Sequence, residues 1–315
     1  MHKDIDISIL VPVYMGGESL PPLAAEISQQ MSAMQMNFEI IFICDNSPDN
    51  SWSIIESIAN INSHVQGLLL RTNVGQHNAL IAGLNHCHGK VIITMDDDLQ
   101  HSPKDIPLLI DKLNIGFDVV YTEFLNREHP LWKKFGSAIN NLFATILIGK
   151  PRNLYLSPYR AFTREIRDEL VRYRGPFVYI DGLILTATKN ISSIEITHHR
   201  RHAGVSHYGV KKSFSLWMQM ATGFSLAPLR ITSAAGILSA LIGFSAGIYL
   251  IAEILISKNT PPGWASIIVS VLIIGGIQML AIGVLGEYLG RVLLTLNAKP
   301  QFVISKKIGN NTDPQ

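Results

Sequence analysis

Two stretches near the carboxyl end of the chain carry no charged side chain: Ile231 to Ala252 and Trp264 to Gly286. As α-helices rising about 1.5 Å per residue, each reaches roughly 30 Å or more, the thickness of a bilayer core. Both are apolar all round rather than striped, as expected of helices that meet lipid. The alternative is a helical hairpin buried in a large soluble core. Gly236, Gly243, Gly247, Gly275, Gly276 and Gly283 are small residues that would allow close helix packing there. Composition favours two membrane spans. Charged residues are 16% of the 315 residues and mean hydropathy is +0.24, against about 25% charged in typical soluble domains. Those values exclude a disordered chain and a basic nucleic-acid-binding tail, so no nucleic-acid partner is expected. The net charge of +2 names no other partner. Two cysteines, Cys44 and Cys87, are too few for a disulfide scaffold or a multi-cysteine zinc site.

The connection from Ser257 to Gly263 is short and carries a single positive charge, Lys258. Lys211, Lys212 and Arg230 precede the first run; Arg291, Lys299, Lys306 and Lys307 follow the second. The positive-inside rule then puts both flanks, and the large amino-terminal region, in the cytoplasm. Residues 1–14 do not read as a signal peptide, because the apolar stretch is short, contains Pro12 and follows Asp4 and Asp6. The expected organisation is a cytoplasmic domain with interfacial helices over 1–228 and spans over 229–257 and 264–290. A short extracytoplasmic loop, 258–263, joins the spans, and a cytoplasmic tail covers 291–315, disordered after Lys307.

Before the spans, strands and helices alternate. Strands are expected at Ile5–Val13, Phe38–Cys44, Leu68–Arg71, Val91–Met95 and Asp118–Thr122. Helices are expected from Ser19 to about Met34, over Trp52–Asn62 and Asn78–His88, and from Ser102 onward. Such alternation predicts an α/β fold with a mostly parallel sheet and helices on both faces.

In open α/β sheets ligands bind at the carboxyl ends of the strands. Two acidic clusters fall there: Asp45-Asn46-Ser47-Pro48-Asp49 and Asp96-Asp97-Asp98-Leu99-Gln100. Three consecutive carboxylates repel one another, so a cation or hydrogen-bond donors must offset them. Hard oxygen ligands favour Mg²⁺ or Mn²⁺ together with substrate phosphates; the alternative is a solvated acidic turn capping the next helix. No Gly-x-Gly-x-x-Gly follows a strand, and Gly83 to Lys90 has the wrong spacing and place for a phosphate loop. His198, His199, His202 and His207 lie among Arg200 and Arg201, where cations oppose a metal, so a basic surface is expected. Cys44 ends an apolar strand and reads as a small core residue.

Four segments occur in the order of the GT-A domain of glycosyltransferase family 2: Ile9-Leu10-Val11-Pro12-Val13-Tyr14, the Asp45 cluster, Asn73-Val74-Gly75-Gln76-His77 and Met95 to Gln100. With Tyr159-Arg160-Ala161-Phe162, Gly204 to Tyr208, Pro228-Leu229-Arg230 and Leu285 to Arg291, the chain resembles the polyprenyl-phosphate glycosyltransferases over residues 6–303. The resemblance implies inverting transfer from a nucleotide sugar, with UDP donors favoured, to undecaprenyl or another polyprenyl phosphate. The lipid-linked sugar would serve envelope polysaccharide or lipopolysaccharide modification. It places the enzyme in the inner, cytoplasmic membrane with its catalytic domain in the cytoplasm, and relatives suggest a homotetramer.

By matching positions, the resemblance implies that Pro12, Tyr14, Asp45, Asp96 and Asp97 serve the nucleotide sugar. Asp96, Asp98 and Gln100 would hold Mg²⁺ or Mn²⁺ and the donor diphosphate. Arg127, Lys133 and Ser137 fall where dolichol-phosphate mannose synthases contact the acceptor phosphate, and Arg201 with Arg200 adds to that site. Asp96, Asp98 and Arg127 would carry catalysis. The chain departs from the family pattern at Cys44, where an aspartate is usual, and at Phe124, where an arginine is frequent. It departs also at Val205 and His207, in place of Glu and Lys, and at Leu154 and Pro158, near a frequent aspartate. Altered specificity follows from those departures, or else a catalytically silent member that binds polyprenyl phosphate or a partner protein.

Overall fold

The computed structural model describes residues 5–124, 151, 154–176, 178–196, 227–257, 263–297 and 299–309. The chain divides into two compact units, Met1–Tyr208 with Ala298–Gln315, and Gly209–Asn297.

In the first unit, β1 (Ile7–Val13), β2 (Phe38–Cys44), β3 (Val65–Leu70) and β4 (Val91–Thr94) alternate with α1 (Leu20–Ala33), α2 (Ser51–Ile61) and α3 (Gln76–Leu84). Next come α4 (Ile106–Asn114), β5 (Val119–Phe124), β6 (Arg160–Thr163), α5 (Arg164–Arg172), α6 (Ile180–Ala187), β7 (Ile191–Ile196) and, after the second unit, β8 (Ile304–Ile308). One eight-stranded sheet has the order β7-β5-β6-β4-β1-β2-β3-β8. The pairs β1–β2, β1–β4, β2–β3 and β5–β7 are parallel; β3–β8, β4–β6 and β5–β6 are antiparallel. The mostly parallel α/β sheet read from the sequence is therefore present, with an antiparallel insertion at β6.

Every residue of β1 and β2 is buried, which is why both read as continuous apolar runs rather than alternating ones. On one face Ile7, Ile9 and Val11 meet Leu20, Leu23 and Ile27 of α1, with Ile55 of α2 and Ile106 of α4 in the same core. On the other face α3 lies so close that a Cβ on Gly83 would stand 2.9 Å from Ile43. Cys44 is fully buried, a core residue as expected. The third strand starts at Val65, earlier than the expected Leu68. Gly67 obscured it, and it is required there: a Cβ would lie 2.5 Å from Ile55 and 2.9 Å from Ile308.

The second unit contains α7 (Ala227–Ser257, 31 residues) and α8 (Trp264–Leu296, 33 residues). Within them Leu229–Tyr249 and Ile273–Leu296 are long and apolar enough to cross a membrane, and only 6% and 0% of those stretches is buried. The core hairpin of a soluble protein would be mostly buried. Among the described residues, a Cβ on Gly236, Gly243, Gly247, Gly275, Gly276 or Gly283 would meet nothing within 4 Å. The second helix also runs past residue 290 to Leu296, with Arg291 reaching Glu287 one turn back at 3.1 Å. The segment beyond it is not simply a tail, since it supplies β8 to the sheet.

Candidate active site

The carboxyl ends of β1, β2, β3 and β4 open onto one edge of the sheet, and Pro12, Tyr14, Asp45, Asp96, Asp97, Asp98 and Gln100 follow or end those strands. Pro12 is buried in β1 opposite Ile43 of β2. A proline inside a central strand lacks a ladder donor. Leu10, two residues earlier and facing the same side, makes the last pairing with β4, at Thr94. Pro12 thus falls where β4 has already left the ladder. Tyr14 and Met15 follow and are half exposed or more, at 50% and 60%. Met15 adopts φ 58°, a left-handed conformation that costs a bulky residue roughly 1–3 kcal/mol. The Ser47 hydroxyl accepts from its N–H at 2.8 Å and holds it there.

Asp45 is 3% exposed, and both its oxygens are occupied. Oδ1 accepts from Val74 N–H and Oδ2 from Gly75 N–H, each at 2.8 Å. Burial pushes its carboxyl up from the ordinary range, and those two donors partly offset the effect. Its visible work is to fasten the loop into α3. That loop needs Gly75, at φ 85°, to turn into the helix. Burial also works against ionisation of Asp49. The Ser47 hydroxyl at 2.6 Å and Ser51 N–H at 3.1 Å outweigh it and hold that carboxyl below its usual range.

The acidic loop splits into three environments. Asp96 accepts from Nε2 of Gln76 at 2.7 Å. Asp98 accepts from the backbone N–H of Gln100 at 3.1 Å, across Leu99 at φ 60°. Asp97 turns inward beneath Gly16, where an added Cβ would lie 2.0 Å from Oδ2. Its Oδ2 is enclosed without a hydrogen-bond partner. Burial, then the charges of Asp96 and Asp98, push its carboxyl up to about 7. Among the described residues no group of three or more His, Cys, Asp or Glu side chains forms a ready metal cage. Asp96 and Asp98 still supply the hard oxygens that Mg²⁺ or Mn²⁺ take, since such ions use one or two carboxylates and complete their shell with substrate phosphates and water. A divalent cation held by Asp96 and Asp98 would offset the negative charge that they add to Asp97. The donor set fits.

A buried polar cluster, unforeseen in the sequence, backs this edge. Arg160 on β6 lies opposite Thr94 of β4 and Tyr121 of β5. Its guanidinium, 2% exposed, pairs with Asp181 in the first turn of α6. The Tyr121 hydroxyl donates to the same carboxylate at 3.0 Å. His77, in the first turn of α3, stands edge-on to Tyr179, with ring centroids 5.2 Å apart. Its Nδ1 is enclosed and has no hydrogen-bond partner. Burial lowers its pKa to about 4, Asp181 opposing and Arg160 adding to the effect. The first turn of α3 is thus the hub: residues 74–77 touch Asp45, Asp96 and Tyr179 in succession. Asp181 lacks a distinctive local pattern, and although Gln76 and Arg160 lie in family-like segments, their roles here depend on partners at least 20 residues away in sequence.

Arg127, Lys133, Ser137, Arg200 and Arg201 lie outside the described residues. So do the histidines at 198, 199, 202 and 207 and the interfacial segments before the first span.

Residues 8–171 match Glycosyl transferase family 2. The chain is 33% identical over 306 residues to the undecaprenyl-phosphate 4-deoxy-4-formamido-L-arabinose transferase of Proteus mirabilis (strain HI4320), covering 96% of this chain and 94% of that one. The enzyme of the same name from Yersinia pestis (strain Pestoides F) is 33% identical over 318 residues, covering 98% and 96%. The chain belongs to glycosyltransferase family 2.

The fold of the glycosyltransferase is that of solved GT-A structures. Glucosyl-3-phosphoglycerate synthase from Mycobacterium tuberculosis, in complex with Mn²⁺, UDP and phosphoglyceric acid, superposes with a TM-score of 0.52 at 16% identity, covering 69% of this chain and 76% of that one. Its complex with Mn²⁺ and UDP-glucose gives 0.51 at 17% identity, covering 69% and 77%. At that identity the likeness is one of fold.

Proposed function

We propose that the glycosyltransferase moves a sugar from a nucleotide sugar, most simply a UDP-sugar, to undecaprenyl phosphate at the cytoplasmic face of the inner membrane, with inversion at the anomeric carbon. The lipid-linked product would feed envelope polysaccharide or lipopolysaccharide modification. The observation that carries this reading is the 33% identity, spread over nearly the whole chain, to enzymes named for undecaprenyl phosphate. The two exposed apolar helices support it, because a polyprenyl chain leaves a bilayer only at roughly 0.8 kcal/mol per methylene. Connectivity supports it too. Strand β3 precedes the helical pair and β8 follows it, yet they are neighbours in one sheet, so both flanks of the pair share one side of any membrane it crosses.

The chemistry asks little proton transfer of the protein. A phosphate monoester has its second pKa near 6, so the acceptor is largely a dianion at pH 7 and arrives as a nucleophile. What is needed is compensation of charge. In this reading Asp96 and Asp98, with Gln100 beside them, would hold Mg²⁺ or Mn²⁺. A divalent ion there neutralises the charge that grows on the leaving nucleoside diphosphate. Asp45, through Val74 and Gly75, keeps the donor loop in place, and Gln76 orients Asp96. Pro12 and Tyr14 end the strand beneath the nucleotide, and Asp97 braces Gly16. Arg127, Lys133, Ser137, Arg200 and Arg201 are assigned to the acceptor phosphate on their matching positions alone.

Replacement of Asp98 by Ala tests the reading. Transfer of label from UDP-sugars to undecaprenyl phosphate in membranes should be abolished while the variant still sediments with the membrane fraction. Turnover retained at the parent rate would remove Asp98 from the mechanism. A parent enzyme that turns over no donor from a broad nucleotide-sugar panel would overturn the acceptor and donor assignments.

A further inference from the structure

Residues 299–309 come after the second apolar helix, but they reach the rim of the donor site. The carbonyl of Val303 accepts from Arg71 N–H at 2.8 Å. Arg71 opens the loop whose next residues bind Asp45 and Asp96. Two residues before Val303, the partly buried side chain of Gln301 donates through Nε2 to two carbonyls, Tyr173 at 3.0 Å and Gly175 at 2.7 Å. A primary amide has two N–H donors on one nitrogen, and here each meets one carbonyl of the turn that leaves α5. The turn packs closely there: a Cβ on Gly175 would lie 2.2 Å from the Tyr173 hydroxyl. Four residues on, Tyr179 receives the edge of His77.

These contacts close on themselves. The contacts run from Gln301 and Val303 to Arg71, through Val74, Gly75 and Gln76 to His77 and across to Tyr179, while Gln301 also holds Tyr173 and Gly175 earlier in the same stretch of chain. Asp45 and Asp96 are fastened to the inside of that ring by the residues between Arg71 and His77. We infer that Gln301 is a positioning residue of the donor site: it holds the turn at Tyr173 and Gly175, from which the chain leads to Tyr179 against the first turn of α3, and so fixes the loop that orients Asp45 and Asp96. The segment after the helical pair is then part of the site rather than a trailing end. Nothing in the family-like motifs pointed to it, because Gln301 touches no group expected to meet substrate.

The inference rests on the proposed donor site, so its test reads binding rather than turnover. Full-length protein in detergent is titrated calorimetrically with UDP, GDP and CDP, each in the presence of MnCl₂. If the parent binds none of them, the reading of the site as a nucleoside-diphosphate site falls, and this inference with it. If the parent binds one, Gln301→Leu should bind it roughly two- to tenfold more weakly, the worth of an ordinary hydrogen bond. Gln301→Lys, whose ammonium can still donate to both carbonyls, should stay within about twofold of the parent. The thermal midpoint separates this from a general loosening, which would lower the fraction of competent protein without changing the affinity of the remainder. Tyr179→Leu acts on the same ring, so its effect combined with Gln301→Leu should be smaller than the product of the two. Unchanged affinity in Gln301→Leu, or strictly multiplicative effects of the pair, overturns the inference. Should Gln301→Leu not fold, Gln301→Glu removes the same donors at nearly the same size and is read the same way.

Discussion

Single residues at this site are constrained by their neighbours more than by their own chemistry. Gly16 is the clearest case, because only the absence of a Cβ lets the Asp97 carboxyl tuck beneath it. Gly16→Ala would collide with a side-chain tip that can swing, so the fold should survive with a thermal midpoint near that of the parent. The displaced carboxyl would then join Asp96 and Asp98, and initial-rate assays should show transfer down by roughly tenfold or more, as misplaced groups at a reacting centre commonly cause. Parent-like rates would mean that the inward turn of Asp97 is incidental. His77 makes a different prediction. Its pKa drops from an ordinary 6.5 to about 4 on folding, so between those values the unfolded chain binds a proton that the folded chain refuses. This contribution to stability is complete above pH 6.5 and is lost as pH falls toward 4, by on the order of 2–3 kcal/mol. His77→Phe keeps a ring against Tyr179 and removes the titrating group. The fall in thermal midpoint between pH 7 and pH 5 should therefore be smaller in the variant than in the parent; equal falls would place the acid sensitivity elsewhere.

At the scale of elements, burial decided what could be read in advance. Strands β1 and β2 are apolar at nearly every position because both faces are covered, and β2 was legible to the residue while β1 began two residues later than expected. Strands β6 and β8 were missed for the opposite reason. Four residues of Arg-Ala-Phe-Thr and the charged Ile-Ser-Lys-Lys-Ile carry no strand signal of their own, and partners distant in sequence hold them in place. The acidic loop was legible as a carboxylate cluster at a strand end, but the inward turn of Asp97 was not, since that depends on Gly16 across the sheet edge. The ion pair Arg160–Asp181 is the strongest such long-range tie. Asp181→Ala would leave a fully buried guanidinium unpaired, a change that costs about 3–5 kcal/mol. Asp181→Asn keeps an acceptor for Tyr121 and should cost visibly less. Thermal denaturation of both variants in detergent checks the order, and equal midpoints for the two would mean that the charge of Asp181 does not matter to Arg160.

For the whole molecule, the decisive feature is that the chain leaves its sheet, runs through two long apolar helices and returns to the same sheet. Hydropathy alone gives two candidate spans, and the charges flanking them give a direction; neither requires the two crossings to be paired. Strand β8 does. Its antiparallel register with β3, Gly67 opposite Ile308 and Leu68 opposite Lys307, can form only if residues before and after the helical pair are on one side. An odd number of crossings is therefore incompatible with the folded sheet. Single cysteines give a direct check in a chain whose own two, Cys44 and Cys87, are buried. A cysteine at Lys258, between the helices, should react with a membrane-impermeant maleimide added to intact cells from the outer side once the outer membrane is permeabilised. Cysteines at Glu18 and Lys306 should react only after the inner membrane is opened. Labelling of Lys306→Cys and Glu18→Cys from opposite sides would break the pairing of β3 with β8, and with it the argument that the carboxyl-terminal segment completes the donor site.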